Sequence, residues 1–165
     1  MPSKKPIKPG PGQESVWDYP RPPALEPVPE TITVMFNGQQ VARTTRAYRV
    51  LETSHPPVYY LPPEDILEGA LVPRTGSSFC EWKGKARYFD LVVDGKISPG
   101  AAWAYDTPST RFAPIAGYIA FYPSKIDAGY VNEEQVRAQA GDFYGGWITD
   151  KIVGPFKGEA GTWGW

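Results

Sequence analysis

The feature that most limits the fold of this chain is its abundance of residues that interrupt helices. Its 165 residues include 19 prolines and 17 glycines. Proline lacks a backbone donor and glycine favours turns, so both residues tend to end regular helices. Asn37-Gly38 and Asp94-Gly95 each lie between alternating hydrophobic residues, the pattern of a tight β-hairpin. We therefore expect many short strands and no long helix.

Alternating residues predict where the strands lie. Ile32, Val34 and Phe36 share one face of the first hairpin, and the second hairpin has a similar face at Phe89, Leu91 and Val93. Further strands are expected at 46–52, 56–61, 101–105 and 117–122. Residues 62–70 predict one or two helical turns, residues 71–79 a loop, and residues 132–140 a short helix capped by Asn132. This pattern favours a mainly antiparallel β fold, with two sheets or one strongly bent sheet.

The expected organisation is one β domain with two appended segments. Residues 1–13 read as a flexible N-terminal arm, residues 14–140 as the single β domain, and residues 141–165 as a Gly/Trp-rich strap. Within the domain, residues 14–30 are expected to be an extended, polyproline-like segment held by Trp17, Tyr19 and Leu25. The strap, with Trp147, Trp163 and Trp165, is expected to cover a sheet edge of its own domain, and docking on a partner is the alternative.

Charge and apolar patterning argue against two classes of partner. The net charge is −1 and the pI is about 5.9, so the chain has no basic surplus for nucleic acid. No apolar run is long enough to span a membrane, and the first residues lack the apolar stretch of a signal peptide. A single cysteine cannot form an internal disulfide. We expect a cytoplasmic protein.

Four sequence blocks in order resemble a known family. ETSHPPVYYLPPEDI, FCEWKGKARYFDL, AWAY and IAGYIAFYPSKIDA are similar to blocks of the domain of unknown function 427 family, over residues 14–131. The terminal GPFKGEAGTWGW resembles an extension of cyanobacterial members. The resemblance implies a β-tent-like fold, in which two antiparallel sheets meet along one edge and open at the other, as in methionine sulfoxide reductase B and the ligand-binding domain of cereblon. The expected fold is thus mainly β, an antiparallel two-sheet β-tent with one or two short helices.

Two residues that are unique in the chain are the candidates for chemistry. His55, the only histidine, lies between Ser54 and a diproline, and it is suited to act as a general acid/base or a polar ligand contact. Glu52 would reach its ring only if the chain bent at Ser54. Cys80, the only cysteine, lies near Lys83 and would be nucleophilic as a thiolate. The alternatives are a histidine that satisfies buried backbone groups and an inert, partly buried thiol.

A second group of residues predicts a binding surface. Lys83, Lys85 and Arg87 alternate, so they should share a strand face, either as an anion clamp beside Trp82 or as a solvated edge. Trp103 and Tyr105 should face Tyr118 and Tyr122 from a neighbouring strand, forming an aromatic wall or ordinary core packing. The predicted ligand-binding residues are Tyr59, Trp82, Lys83, Trp103 and Tyr118.

These patterns leave three hypotheses for function. The first is a domain that binds an unknown small molecule in a polar-aromatic pocket around His55, Lys83 and Trp103. The second is an enzyme at the same pocket, with His55 as general acid/base assisted by Cys80 or a tyrosine. The third is an interaction module whose Pro-rich arm and Trp-rich strap bind a protein partner or a second copy. We expect no cofactor and no metal site, because there is no CxxC motif and no second histidine.

Overall fold

Strands form most of the regular structure in the computed structural model, which describes residues 5–80, 83–140, 144–158, 161–162 and 165. In chain order the strands are β1 (Glu14–Ser15), β2 (Ala24–Val28), β3 (Ile32–Phe36), β4 (Gln39–Thr44), β5 (Ala47–Leu51), β6 (Val58–Tyr60), β7 (Leu71–Cys80), β8 (Gly84–Val93), β9 (Lys96–Tyr105), β10 (Ile119–Phe121), β11 (Ala128–Val131), β12 (Glu134–Gln135), β13 (Arg137–Ala138), β14 (Trp147–Ile148) and β15 (Ile152–Val153). Short 3-10 turns occupy Val16–Asp18, Pro63–Asp65, Thr110–Ile115 and Pro123–Lys125. The predicted mainly β class with short helical pieces is confirmed.

Two four-stranded antiparallel sheets carry most of the structure. One has the order β10-β9-β8-β7 and the other the order β12-β11-β3-β4. A three-stranded sheet has the order β2-β5-β6, and two smaller pairs are β13-β14 and the parallel β1-β15. The described strands are therefore divided among several sheets rather than two.

Both predicted hairpins are present, and their turn residues explain why. Asn37 and Gly38 have φ of 50° and 74° between β3 and β4, and Asp94 and Gly95 have φ of 48° and 81° between β8 and β9. Two consecutive positive φ values define a type I′ turn, whose twist matches that of the paired strands. Phe89, Leu91 and Val93 share a buried face, as expected.

The predicted loop at residues 71–79 is wrong, because these residues form most of β7. This strand lies at the edge of its sheet, where proline is tolerated because one side of the strand needs no donor. Its pairing with β8 shifts between Pro73 and Ser77, so Arg74, Thr75 and Gly76 bulge out of the ladder. Proline and glycine thus mark an irregular strand rather than a loop.

The predicted helix at residues 132–140 is also wrong, since the segment forms β12 and β13. Asn132 has a φ of 53°, which belongs to a turn and not to a helix cap, and its side chain accepts a hydrogen bond from the Thr31 backbone. Pairing of β12 with β11 and of β13 with β14 outweighs local helix propensity. Similarly, residues 24–28 form a regular strand paired with β5, not a polyproline-like segment.

The β10-β9-β8-β7 sheet contributes residues to a hydrophobic cluster on each of its faces. Alternate residues such as Phe89 and Leu91 enter the main core with Ile32 and Val34 from the other four-stranded sheet. Residues on the opposite face, including Trp103, belong to a second cluster with Tyr60, Phe112 and Ala120. The second face is the one that borders the cavity described below.

The two ends of the described chain meet on the same side of the domain. β1 pairs with β15, and the Ile7 backbone N–H donates to Gly154 O over 2.9 Å. Trp147 is 1% exposed within the main core, and Trp165 packs edge-on against Trp17. Trp163 lies outside the described residues. Across the described ranges, no helix combines the length and apolar character needed to cross a membrane.

Candidate functional site

A cavity of about 840 Å³ opens on the second face of the β10-β9-β8-β7 sheet. Its walls come from the sheet, from the turn that follows β10, from the segment Val50 to Tyr60, and from residues between Gln139 and Lys157. The aromatic residues that line it are Tyr60, Tyr88, Trp103, Tyr105, Tyr122 and Tyr144. The basic residues that line it are Arg74, Lys83, Lys125 and Lys157, whereas Glu52 is the only carboxylate among the described lining residues.

Trp103 is at the centre of the aromatic wall. Strand pairing places it opposite Tyr88 on β8 and Ala120 on β10. Its ring centroid lies 4.5 Å from that of Tyr122 and 6.3 Å from that of Tyr60. The side chains of Trp103 and Tyr105 project from the same face of β9, so the indole and phenol rings form a continuous apolar surface.

The phenols of this wall are hydrogen-bond donors at neutral pH. Trp103 Nε1–H donates to the Tyr60 hydroxyl over 3.4 Å, which leaves the Tyr60 proton available to another acceptor. Burial raises the pKa of Tyr60 and of Tyr105 well above the usual value, and it raises the pKa of Tyr122 to about 12. All three groups therefore remain protonated.

His55 lines the cavity and follows a bend at Ser54. This is the bend that Glu52 was expected to need in order to reach the imidazole. Ser54 has a φ of 70°, and this turn brings Glu52 Oε2 to 4.0 Å from His55 Nδ1. The closer partner of Nδ1 is the Thr53 carbonyl oxygen at 2.8 Å, to which Nδ1–H donates. In the neutral ring this bond leaves Nε2 as the acceptor. Glu52 is thus near the imidazole but does not hold its tautomer.

The environment of His55 favours the neutral ring. Burial lowers its pKa below the usual 6.5, and the charges of Lys157 and Arg21 add to this effect. Glu52 acts in the opposite direction. His55 is therefore suited to accept a hydrogen bond or a proton at neutral pH.

Both terminal regions hold the bend in place. The Ser54 N–H donates to Val16 O over 3.0 Å, and Lys157 N–H donates to Ser54 O over 2.8 Å. The His55 ring packs edge-on against Tyr144, with 5.0 Å between centroids. The orientation of the imidazole thus depends on residues far from it in sequence.

Three lysines of the cavity contact aromatic rings. Lys83 Nζ lies 5.7 Å from the Tyr105 ring centroid, Lys125 Nζ lies 4.8 Å from that of Tyr122, and Lys157 Nζ lies 5.6 Å from that of Tyr144. Among the described residues, none of these lysines forms a salt bridge with a carboxylate. A locally basic, aromatic surface therefore exists in a protein with almost no net charge.

The structure brings four of the seven predicted site residues together. His55, Cys80, Lys83 and Trp103 all line the cavity. Cys80 is a partly exposed free thiol at the end of β7. Trp82 lies outside the described residues.

Tyr59 and Tyr118 are not part of this cavity. Tyr59 points into the main core, where its ring lies 5.4 Å from that of Trp147. Its neighbour Tyr60 lines the cavity instead, because consecutive strand residues face opposite sides. Tyr118 packs against Tyr48, with 5.9 Å between ring centroids.

The predicted common face holds for Lys85 and Arg87, which are exposed on β8, but not for Lys83. Gly84 has a φ of 95° at the start of β8, so the chain changes direction immediately after Lys83. Lys85 and Arg87 are exposed and do not line the cavity, and Arg87 forms an ion pair with Asp106. Of these three residues, only Lys83 lines the cavity.

Sequence reasoning missed several lining residues that come from irregular segments. Arg74 belongs to the bulge of β7, Lys125 to a 3-10 turn, and Tyr144 and Lys157 to the strap. None of these segments has a periodic pattern that predicts the direction of a side chain. Within the described ranges, no cluster of three or more His, Cys, Asp or Glu side chains is placed to hold a metal ion.

Comparison with known proteins identifies the family. A family model described as Domain of unknown function (DUF427) matches residues 24–132. A search of curated proteins found no match to the chain. The matched region includes His55, Cys80, Lys83 and Trp103, whereas Tyr144 and other strap residues of the cavity lie beyond it. Because the match spans more than half of the chain, this protein belongs to the domain of unknown function 427 family.

Proposed function

We propose that the protein binds a small planar molecule that carries hydrogen-bond acceptors. The observation that carries this proposal is the wall formed by Trp103, Tyr60 and Tyr122 along a cavity of about 840 Å³. Pockets of roughly 300–1,000 Å³ with apolar walls and a few aimed polar groups are typical of metabolite sites. An aromatic wall of this kind suits a flat ligand through stacking and edge contacts.

The polar groups around the wall support a ligand that is rich in acceptors. Tyr60 has a free proton to donate, and Lys83 and Lys157 present ammonium groups beside aromatic rings. His55 adds one group that accepts through Nε2 while neutral. A ligand with carbonyl, carboxylate or phosphate oxygens and one donor would match this arrangement.

The single cysteine makes the proposal directly testable. We expect compounds from a metabolite library to raise the melting temperature, since a ligand at 100 times its Kd stabilises the fold by about 2.7 kcal/mol. A compound bound in the cavity should also slow the reaction of Cys80 with a thiol reagent, because Cys80 lines the same space.

Two controls link binding to this cavity. Prior alkylation of Cys80 with N-ethylmaleimide should abolish the thermal shift, and the same treatment of a Cys80→Ala variant should leave the shift intact. A library without any stabilising compound, or ligands that leave Cys80 labelling unchanged, would contradict the proposal.

One observation favours an enzyme as the second candidate. The bond from His55 Nδ1 to Thr53 O fixes the neutral tautomer and leaves Nε2 as a base beside the cavity. An enzyme would convert a bound ligand at a pH-dependent rate that disappears in His55→Ala, whereas a binding protein would show no turnover.

A free thiol in the cavity also supports the proposal that the protein works in the reducing cytoplasm.

A further inference from the structure

Two cationic side chains that line the cavity converge on Gly100. A Cβ built on Gly100 would lie 3.0 Å from Arg74 Nη1 and 3.9 Å from Lys125 Nζ. Gly100 has a φ of 59° and lines the cavity together with both cations. Because Gly100 has no side chain, two positively charged groups can approach its backbone closely.

Two irregularities in the sheet create this arrangement. The β7-β8 pairing shifts between Pro73 and Ser77, and the β8-β9 pairing shifts between Phe89 and Leu91. The first shift releases Arg74 from the ladder, and the second leaves Gly100 outside it. β-bulges can redirect a side chain, and they are over-represented next to active sites.

Asp90 connects the two irregularities. Its Oδ1 accepts from Gly100 N–H over 2.8 Å and lies 3.2 Å from Arg74 Nη1. One carboxylate therefore orients the guanidinium and also balances its charge. Arg74 keeps further N–H groups that Asp90 does not occupy, because a guanidinium carries five.

Lys125 is held at the same place by its own turn. Its backbone N–H donates to Tyr122 O over 3.0 Å, and its carbonyl accepts from Ser98 Oγ over 2.6 Å. Its ammonium lies over the Tyr122 ring, which belongs to the aromatic wall. Asp90 neutralises Arg74, but among the described residues no carboxylate pairs with Lys125. The group retains one positive charge that a ligand can balance.

We infer that the ligand is an aromatic oxyanion whose carboxylate or phosphate binds between Arg74 and Lys125 beside Gly100. This inference rests on the proposed binding function and specifies its ligand class. The planar body would extend from the bound anion along Tyr122, which Lys125 contacts, and Trp103, whose ring centroid is 4.5 Å from that of Tyr122. Charge at one end and an apolar wall at the other would fix the orientation of the ligand.

The test compares four probes by isothermal titration calorimetry on the full chain. The probes are 1-naphthoate, 1-naphthyl phosphate, the neutral 1-naphthamide and inorganic phosphate. We expect one of the aromatic anions to bind about tenfold more tightly than the amide, since a tenfold change corresponds to about 1.4 kcal/mol. The anion that binds more tightly shows whether the site selects a carboxylate or a phosphate ester. The difference in affinity between that anion and the amide should shrink at high salt, because salt screens the charges.

Variants of one lysine locate the anion. Lys125→Met should reduce the affinity for the anion about tenfold, toward that of the amide, and should leave amide binding within about twofold. Lys125→Arg should retain most of the affinity. Lys85→Met is the matched control, since Lys85 is an exposed lysine of the same sheet that does not line the cavity, and its affinities should be unchanged.

The outcomes separate this inference from the proposed function. If the amide binds as tightly as both anions, or if Lys125→Met and Lys85→Met weaken binding equally, the oxyanion site is overturned while ligand binding stands. If neither the aromatic probes nor any library compound binds, both proposals are overturned. Binding of inorganic phosphate that is lost in Lys125→Met supports the site independently of the aromatic wall.

Discussion

His55 shows how a single residue acquires its properties from groups distant in sequence. The bend at Ser54 depends on backbone bonds to Val16 and Lys157, and burial lowers the pKa of the imidazole. Asp90 plays a comparable part beside Gly100, where one oxygen contacts both Arg74 and the Gly100 backbone. In both cases a backbone irregularity and one hydrogen-bond partner determine where a polar side chain points.

The lowered pKa of His55 predicts a specific dependence of stability on pH. The unfolded chain, with a histidine pKa near 6.5, binds the proton more readily than the folded protein does. The neutral ring's contribution to the free energy of unfolding is therefore complete above the unfolded pKa and is lost as the pH falls below it. We expect the melting temperature of the wild type to fall more than that of His55→Gln between about pH 7.5 and about pH 5.5.

Scanning calorimetry at several pH values checks this expectation. Since His55 is the only histidine, the difference between the two curves isolates its titration from that of the carboxylates. Curves that stay parallel across the whole range would show that folding does not shift the pKa of His55.

Among the structural elements, the stretch from Tyr144 to Trp147 connects the strap to the cavity. Gly145 is buried against the indole ring of Trp103, and a Cβ at this position would lie 2.9 Å from Trp103 Cζ3 and closer still to Cη2. Next to it, the Gly146 N–H donates to Gln139 Oε1. Close packing of backbone on the indole thus forms one wall of the proposed site.

A methyl group at Gly145 should disturb that wall. We expect Gly145→Ala to destabilise the protein by about 1–3 kcal/mol, because either the indole or the strap must move. Urea denaturation measures the loss, and near-ultraviolet circular dichroism reports on the environment of the indoles. Gly10→Ala is a suitable control, since its new methyl group would meet only the Gln13 side chain in an exposed segment. Equal effects of the two substitutions would contradict the close packing of Gly145 on Trp103.

On the scale of the whole molecule, the strap shares the main core with the sheets. Trp147 is 1% exposed, its Nε1–H donates to Phe121 O over 3.0 Å, and its backbone N–H donates to Pro57 O over 2.8 Å. Its ring also lies against Gly129 on β11. Trp147, through its side chain and its backbone, therefore connects both four-stranded sheets with the segment that carries His55.

We expect Trp147→Ala to destabilise the whole protein and not only the strap. Removing a fully buried tryptophan costs about 3–5 kcal/mol, which is a large part of the stability of a domain of this size. Urea denaturation should show a single transition at lower denaturant concentration. Phe79→Ala, at a side chain that is 78% exposed, should change stability by less than about 0.5 kcal/mol. A separate early transition in Trp147→Ala would instead indicate that the strap unfolds independently.

The sequence by itself determined the class of the fold and several strands, because these depend on local rules. Asn37-Gly38 and Asp94-Gly95 encode their turns, and the alternation at Phe89, Leu91 and Val93 encodes a buried face. These signals act over a few residues, so neighbouring residues are enough to read them. Local sequence also identified four residues of the cavity, because each is a rare or reactive residue in a polar-aromatic segment. These residues are His55, Cys80, Lys83 and Trp103.

The tertiary structure alone decided which side chains meet. The choice of Tyr60 over Tyr59 depends on strand register, and the convergence of Arg74 and Lys125 on Gly100 depends on two shifts in sheet pairing. The segment after Asn132 became strands rather than a helix because its partners, β11 and β14, were in place to pair with it. Register and long-range pairing are set by the free energy of the whole packed molecule, which no local pattern encodes.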